Sequence, residues 1–371
     1  MDFLEVQDKI SCLDLKGQHQ RIKAELFQAF EEVYDQNAFS GGHFVSKFES
    51  SFASFCDTRF SIGVNNGTSA LHLAMLALGI GEGDEVIVPA NTFIATAWGV
   101  SYTGATPVFV DCTADTWQID ADAIEAKITA KTKAVVGVHL YGQPFDIDAV
   151  AAVCKKHGLF LIEDAAQAQG ARYQGIPVGG FGEMATFSFY PGKNLGACGE
   201  AGGITTNNPL YYNHLLSLRN HGSVTRYYHD ELGFNMRMGG LEAASLNVKL
   251  KYLNGWNDSR RDVAEKYQQG ITNPKITIQF QPVNTQSIYH LFVITTADRD
   301  ELIAYLNDKN IFPGLHYPVP CHLQKVYKHL NHKVGDCPQS EYLASHCLSL
   351  PMYAELTNTE IEYVIDAVNQ Y

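Results

Sequence analysis

Short apolar runs alternating with helix-length segments set the fold class of this chain. From about residue 60 they read EVIVPA (85–90), TPVFVD (106–111), KAVVGVHL (133–140) and LFLIED (159–164), followed by ATFSFY and GGITT. Runs rich in Val and Ile without polar alternation suit strands covered on both faces, as in a parallel or mostly parallel α/β sheet. Between KAVVGVHL and LFLIED the segment PFDIDAVAAVCKKHG is predicted to be a helix, capped by Asp146, with lysines near its end and Gly158 as terminator. This makes a βαβ unit. Upstream, Ile22, Leu26, Phe30 and Val33 recur at helical spacing, with Asp14 and Gln18 as capping candidates. After residue 250 come a charged helix at DSRRDVAEKY, strands ITIQF and YHLFVITT, a helix opened by Asp298 and Glu301, and a proline-rich turn at GLHYPVPCH. A chain of 371 residues exceeds the usual size of a single core. It is expected to divide into residues 1–250, an arm plus a large α/β unit, and 251–371, a smaller α+β unit.

Charge and cysteine usage narrow the function classes. Acidic residues number 40 against 27 basic ones, a formal charge of −13, which argues against a nucleic-acid surface. Any anionic ligand must therefore be held by local donors. Eight cysteines are scattered as Cys12, Cys56, Cys112, Cys154, Cys198, Cys321, Cys337 and Cys347, with no CxxC pair. Reduced, mostly buried thiols are expected, with neither disulfides nor a metal, since Cys321-His322 lacks further ligands at suitable spacing. No apolar stretch approaches a membrane span, and no basic N-terminal region precedes an apolar run. The expectation is a cytoplasmic protein with no membrane partner.

Three segments carry chemistry. In NNGTSALHLAMLALG (65–79), Gly67, Thr68 and Ser69 precede a run that is apolar almost all round, which suggests a loop feeding a buried helix. Such a start can bind anions through free N–H groups and the helix dipole, although taken alone Thr68 or Ser69 acting only as a cap is the commoner outcome. The segment is neither a P-loop nor a dinucleotide fingerprint. Gly192-Lys193 is followed by Asn194, and Gly79, Gly81 and Gly83 lack the required spacing. In LFLIEDAAQAQGA (159–171) a strand ends in Glu163 and Asp164, which point to opposite sides; metal ligand, structural ion pair and cofactor contact all remain open for them. In SFYPGKNLGACGEAGG (188–203) a lone lysine, Lys193, lies on a glycine-rich loop five residues after Ser188. A single lysine is most often a solvated surface residue. The combination reverses that: a phosphate-binding helix start, an aspartate at a strand end, a serine and a lysine are the parts that bind pyridoxal phosphate.

The same residues resemble the DegT/DnrJ/EryC1/StrS sugar-nucleotide aminotransferases, of the pyridoxal-phosphate fold type I (aspartate aminotransferase-like). The likeness runs through SGGHFVSKFESSFASF, VNNGTSALHLA, GDEVIVPANTFIATA, GATPVFVD, VHLYGQPFD, LIEDAAQAQGA, FSFYPGKNLGACGEAGG, RNHG, GFNMRMGGLEAA and HYPVP. It implies a large, mostly parallel sheet domain and a smaller α+β C-terminal domain. It also implies that Lys193 carries pyridoxal 5'-phosphate and moves the proton between cofactor and substrate carbons. Asp164 would pair with the pyridine nitrogen, Gln167 would bond the ring hydroxyl and Phe93 would stack on the ring. Gly67, Thr68, Ser69 and Ser188 would form the phosphate site, joined by Asn235 of a neighbouring subunit, so a homodimer with shared active sites is implied. FYPGKNLGA is most similar to members that aminate the third carbon of dTDP-linked 6-deoxy-hexoses, with glutamate as donor, for surface polysaccharide such as O-antigen. Glu200 departs from the aspartate usual there.

Other substrate contacts are implied at Tyr190, His316 and Tyr317, the last two in a two-proline turn of the kind that carries binding residues. His221 and Arg237, with Arg219, are candidates for the diphosphate or the donor's carboxylate, against surface ion pairing as the competing account. Amination of a 4-keto or UDP-linked sugar is the alternative substrate. A non-catalytic, cofactor-binding regulatory or structural protein is the alternative class.

Overall fold

The structure, a computed structural model, describes residues 9–371. Seven strands form the main sheet: β1 (Phe60–Val64), β2 (Glu85–Pro89), β3 (Thr106–Val110), β4 (Thr132–Val138), β5 (Phe160–Asp164), β6 (Met184–Ser188) and β7 (Gly202–Thr206). Their order is β1-β7-β6-β5-β4-β2-β3. Only β7 runs against its neighbours; β6, β5, β4, β2 and β3 pair in parallel. The apolar runs are continuous because both faces are covered. Ile87, Val135 and Leu161 pack with Phe48, Phe52 and Phe187 on one side, while Val86, Val88, Val136 and Ile162 pack with Met75, Ala97 and Phe109 on the other. β1 has no counterpart among the runs read from sequence, since Gly63 interrupts its five residues FSIGV.

Helices α1 (Lys16–Asp35), α2 (His43–Phe55), α3 (Gly67–Ala77), α4 (Ala95–Ser101), α5 (Ile147–His157) and α6 (Gly240–Lys249) surround the sheet. α5 ends as expected: the Asp146 side chain accepts from the Ala149 N–H, and Gly158 closes the helix at φ 66°. The other caps differ. Asp14 bonds the Lys16 N–H at 2.6 Å, but Gln18 is buried within the first turn of α1. Asp298 precedes helix Arg299–Asp308 without a side-chain capping bond, so no capping box forms there.

Beyond residue 250, α7 (Leu253–Gly270) and α8 (Asn358–Gln370) cover a small antiparallel sheet of Thr277–Ile278, Phe292–Thr295 and Cys347–Leu350. α7 reaches both cores. Leu253 packs in the large one, and Val263, Ala264 and Tyr267 in the small one. The pair Ile10–Ser11 runs parallel to Ile311–Phe312, which brings Cys12 and Leu13 back over the sheet. Among the described residues no helix is long and apolar enough to cross a membrane.

Candidate active site

The strand ends converge on a cavity of about 660 Å³. Its walls include Gly67 and Thr68 after β1, Phe93 after β2, Asp164 and Gln167 from the end of β5, Ser188 at the end of β6, then Tyr190 and Lys193. His316 and Tyr317 complete it from the C-terminal part. Ligands bind in such crevices, outside the carboxyl ends of parallel strands.

Strand alternation divides the two carboxylates. Glu163 turns inward, where it accepts from the N–H groups of Gly179, Phe181 and Gly182 and meets His139 Nε2 at 3.1 Å. Burial works to raise its pKa, but His139 and these N–H groups outweigh burial and hold it below the ordinary carboxylate value. Asp164 turns toward the cavity. Its Oδ2 accepts from Thr96 Oγ1 at 2.7 Å and its Oδ1 from the Ala166 N–H at 3.1 Å. Burial raises its pKa despite the opposing pull of Thr96, Ala166 and Lys193.

Lys193 follows a tight turn in which its N–H donates to the Tyr190 carbonyl at 2.8 Å across Pro191-Gly192. Its ammonium has no protein hydrogen-bond partner among the described residues. Desolvation lowers its pKa to about 8, with Asp164 opposing the shift. The result is an amine ready to react and a carboxylate that lacks a cation equal to its burial.

At the head of α3 the cap is Asn66, not Thr68 or Ser69: Asn66 Oδ1 accepts from the Ser69 N–H at 2.8 Å. The N–H groups of Gly67 and Thr68 are left without protein acceptors among the described residues. The junction is too tight for side chains. A Cβ on Gly67 would lie 2.8 Å from Ser188 Cβ, and one on Gly202 would lie 2.4 Å from the Asn66 carbonyl. These glycines let three backbones close around one concavity lined by free N–H groups, a geometry suited to an anion. Ser188 Oγ accepts from the Tyr190 N–H at 3.3 Å, so its hydrogen is free to donate into the cavity.

Across the cavity, Gln167 Oε1 accepts from the Tyr141 N–H at 2.7 Å and its Nε2 donates to the Tyr317 hydroxyl at 3.0 Å. The Phe93 ring lies 5.5 Å from that of Tyr317 and is half exposed to the opening. Burial, reinforced by the Lys193 charge, lowers the His316 pKa to about 4, so this imidazole is neutral.

The remaining sequence candidates lie elsewhere in the chain. Ser69 is buried behind Thr68 and does not line the cavity. Arg219 is engaged by Glu49 at 2.5 Å and the Gly63 carbonyl. Arg237 bonds Asn220 at 2.7 Å and lines, with Arg219, a separate cavity of about 220 Å³. His221 and Asn235 are exposed. Sequence reasoning missed Asn66, Thr96 and His290, all of which line the cavity. Asn66 carried a signal, an Asx residue just before an apolar helix. Thr96 and His290 carried none, because tertiary packing alone brings them to Asp164 and Lys193.

Residues 20–369 match the profile of the DegT/DnrJ/EryC1/StrS aminotransferase family. The chain belongs to that family. This aminotransferase is 43% identical to a dTDP-3-amino-3,6-dideoxy-alpha-D-galactopyranose transaminase of Aneurinibacillus thermoaerophilus, over 98% of this chain and 99% of the relative. It is 41% identical to a protein of Geobacillus stearothermophilus named pleiotropic regulatory protein, over 98% of each chain. Its fold superposes on the crystal structure of Streptomyces venezuelae DesV in complex with a ketimine intermediate, with a TM-score of 0.96, 41% identity and 98% of each chain covered. The aminotransferase is pyridoxal-phosphate-dependent, and its residues fit that group: an unbonded amine at Lys193, an undercompensated buried carboxylate at Asp164, and a glycine-lined cradle with free N–H groups.

Proposed function

We propose that this aminotransferase moves an amino group from glutamate to a nucleotide-linked keto-sugar. The specific substrate in this reading is a dTDP-3-keto-6-deoxy-hexose, and the product is a dTDP-3-amino-3,6-dideoxy-hexose. The carrying observation is the free Lys193 amine facing Asp164 in one cavity. The Aneurinibacillus relative, named for a dTDP-3-amino sugar, supports the substrate class.

Bound pyridoxal phosphate supplies an electron-withdrawing ring that stabilises negative charge on the reacting carbon. The protein's residues do the rest. Asp164, oriented by Thr96, would hold a proton on the ring nitrogen. Gly67, Thr68 and Ser188 would hold the phosphate, Gln167 would bond the ring hydroxyl and Phe93 would stack on the ring. Lys193 would carry the proton between the substrate carbon and the cofactor carbon on the other side of the transferred nitrogen, a role suited to an amine with a pKa of about 8. His316, Tyr317 and Tyr190 form the wall available to the sugar.

The site is completed by a second copy of the chain in this reading. Asn235 is exposed, and the loop before it leaves Val224, Tyr227, Tyr228 and Leu232 between 69% and 93% exposed, an apolar surface that a partner would cover. His221 and Arg237 lie in the same region and serve the partner's cavity. The proposed unit boundary stays at 250/251, just before α7.

The test is the protein's spectrum and turnover with dTDP-linked 3-keto and 4-keto 6-deoxy sugars and a UDP-linked keto-sugar. A glutamate-induced shift of the cofactor band followed by amination of the dTDP-3-keto sugar supports the reading. Preference for the 4-keto or UDP sugar overturns the substrate assignment. The name of the Geobacillus relative favours the regulatory alternative, and a band that no amino donor shifts would overturn the catalytic reading.

A further inference from the structure

A chain of buried amides runs from the loop after β5 to the cavity, and each of its hydrogen bonds has only one possible direction. Asn257 Nδ2 donates to the Gln169 carbonyl at 2.9 Å, which identifies the other atom of that amide as oxygen. Asn194 Nδ2 donates to this Asn257 oxygen at 2.9 Å and to the Ile288 carbonyl at 3.1 Å. Both hydrogens of the Asn194 amide are then used, and its oxygen can only accept. His290 Nδ1 stands 3.1 Å from that oxygen, so Nδ1 carries the imidazole hydrogen. Gln169, Asn194 and Asn257 are each at most 2% exposed, which keeps bulk water from competing with the pattern.

The consequence falls on the other ring nitrogen. His290 lines the cavity together with Lys193 and His316, and Nε2 meets no protein donor among the described residues. Its surroundings are cationic. Arg260 donates to the carbonyls of Tyr289, His290 and Met352, and Lys193 lies in the same wall. Burial, then the charges of Lys193 and Arg260, hold the imidazole neutral by keeping its pKa well below the ordinary value. Nε2 is thus a lone pair that cannot easily be protonated, and a hydroxyl donor from a ligand in the cavity would match it.

We propose that His290 is a substrate-positioning residue whose Nε2 accepts a hydrogen bond from a hydroxyl of the sugar ring beside the carbon that is aminated. This rests on the keto-sugar reading above. The donor follows from the chemistry of such a substrate. Its ketone and its phosphates can only accept, and its hydroxyls are its donors at the reacting end. A ring ketone at the third carbon of a 6-deoxy-hexose has a hydroxyl on each flanking carbon. An imidazole bearing hydrogen on Nε2 would instead select for acceptors. The amide relay therefore sets which sugar functions the site accepts, and it couples this choice to the loop that carries Lys193.

The experiment compares wild type, His290→Phe and His290→Gln as holoenzymes. In His290→Phe, KM for the keto-sugar should rise roughly tenfold or more, as for loss of one buried hydrogen bond, while the glutamate half-reaction stays within about twofold. His290→Gln, whose amide oxygen can reach the Nε2 position, should recover much of the loss. Nitrogen NMR of histidine-labelled wild type should show His290 with hydrogen on Nδ1 and none on Nε2. An unchanged sugar KM, equal slowing of both half-reactions, or hydrogen on Nε2 would each overturn the proposal. If the wild type reacts with glutamate but aminates no keto-sugar, the substrate reading fails and the hydroxyl assignment falls with it. The NMR result is independent of substrate and separates that failure from a wrong tautomer.

Discussion

Lys193 and Asp164 are each costly to bury, and neither is fully compensated by the protein. Burial lowers the lysine pKa to about 8 and raises that of the aspartate. At pH 7 roughly a tenth of such amines are free, against fewer than about one in a thousand for an ordinary lysine. Because the folded pKa is depressed, the reactive form is scarce below it and dominant above it. Apoprotein mixed with pyridoxal phosphate should therefore capture it about tenfold faster for each pH unit between 6 and 7.5, levelling above about 8, as read by absorbance. A rate still climbing steeply at pH 10 would show an ordinary lysine. The candidacy of both residues was legible in the sequence from spacing and type. Thr96, which orients the carboxylate, was not, since 68 residues separate it from Asp164 and only the packing of α4 against the sheet joins them.

Elements decide which side chains reach the cavity. The two-residue period of β5 sends Glu163 into the core and Asp164 to the ligand side, so adjacent carboxylates have unrelated tasks. The sequence alone predicts that they diverge but not which faces inward, because both flanks of the strand are apolar. The α3 start shows the same limit. Its glycines suggest a tight loop, yet the decisive contact is between β7 and Asn66, which are remote in sequence. Gly202→Ala should push its Cβ into the Asn66 carbonyl and cost about 1–3 kcal/mol of stability. Thermal denaturation should show that loss, and equilibrium dialysis should show weaker cofactor retention. An alanine variant with unchanged Tm and retention would mean that the junction is loose.

At the scale of the whole molecule, the question is whether one chain suffices. Asn235 and the exposed loop before it predict that it does not. Lys193→Ala and Asn235→Asp, each inactive, should regain activity when unfolded and refolded together. Random pairing would give about a quarter of the wild-type rate if one intact site forms per mixed dimer. No recovery, with a monomer by light scattering, would place the whole site within one chain. The sequence by itself determined the sheet class, since continuous Val and Ile runs have few other uses. It also determined α5, whose cap and terminator are local, and the residue types proposed to hold the cofactor. The tertiary structure decided the β7 reversal, the inward turn of Glu163, the Asn66 cap and the tautomer of His290. Each of these depends on which atoms meet across long separations, and a hydrogen bond or a steric contact is fixed by that meeting rather than by residue type.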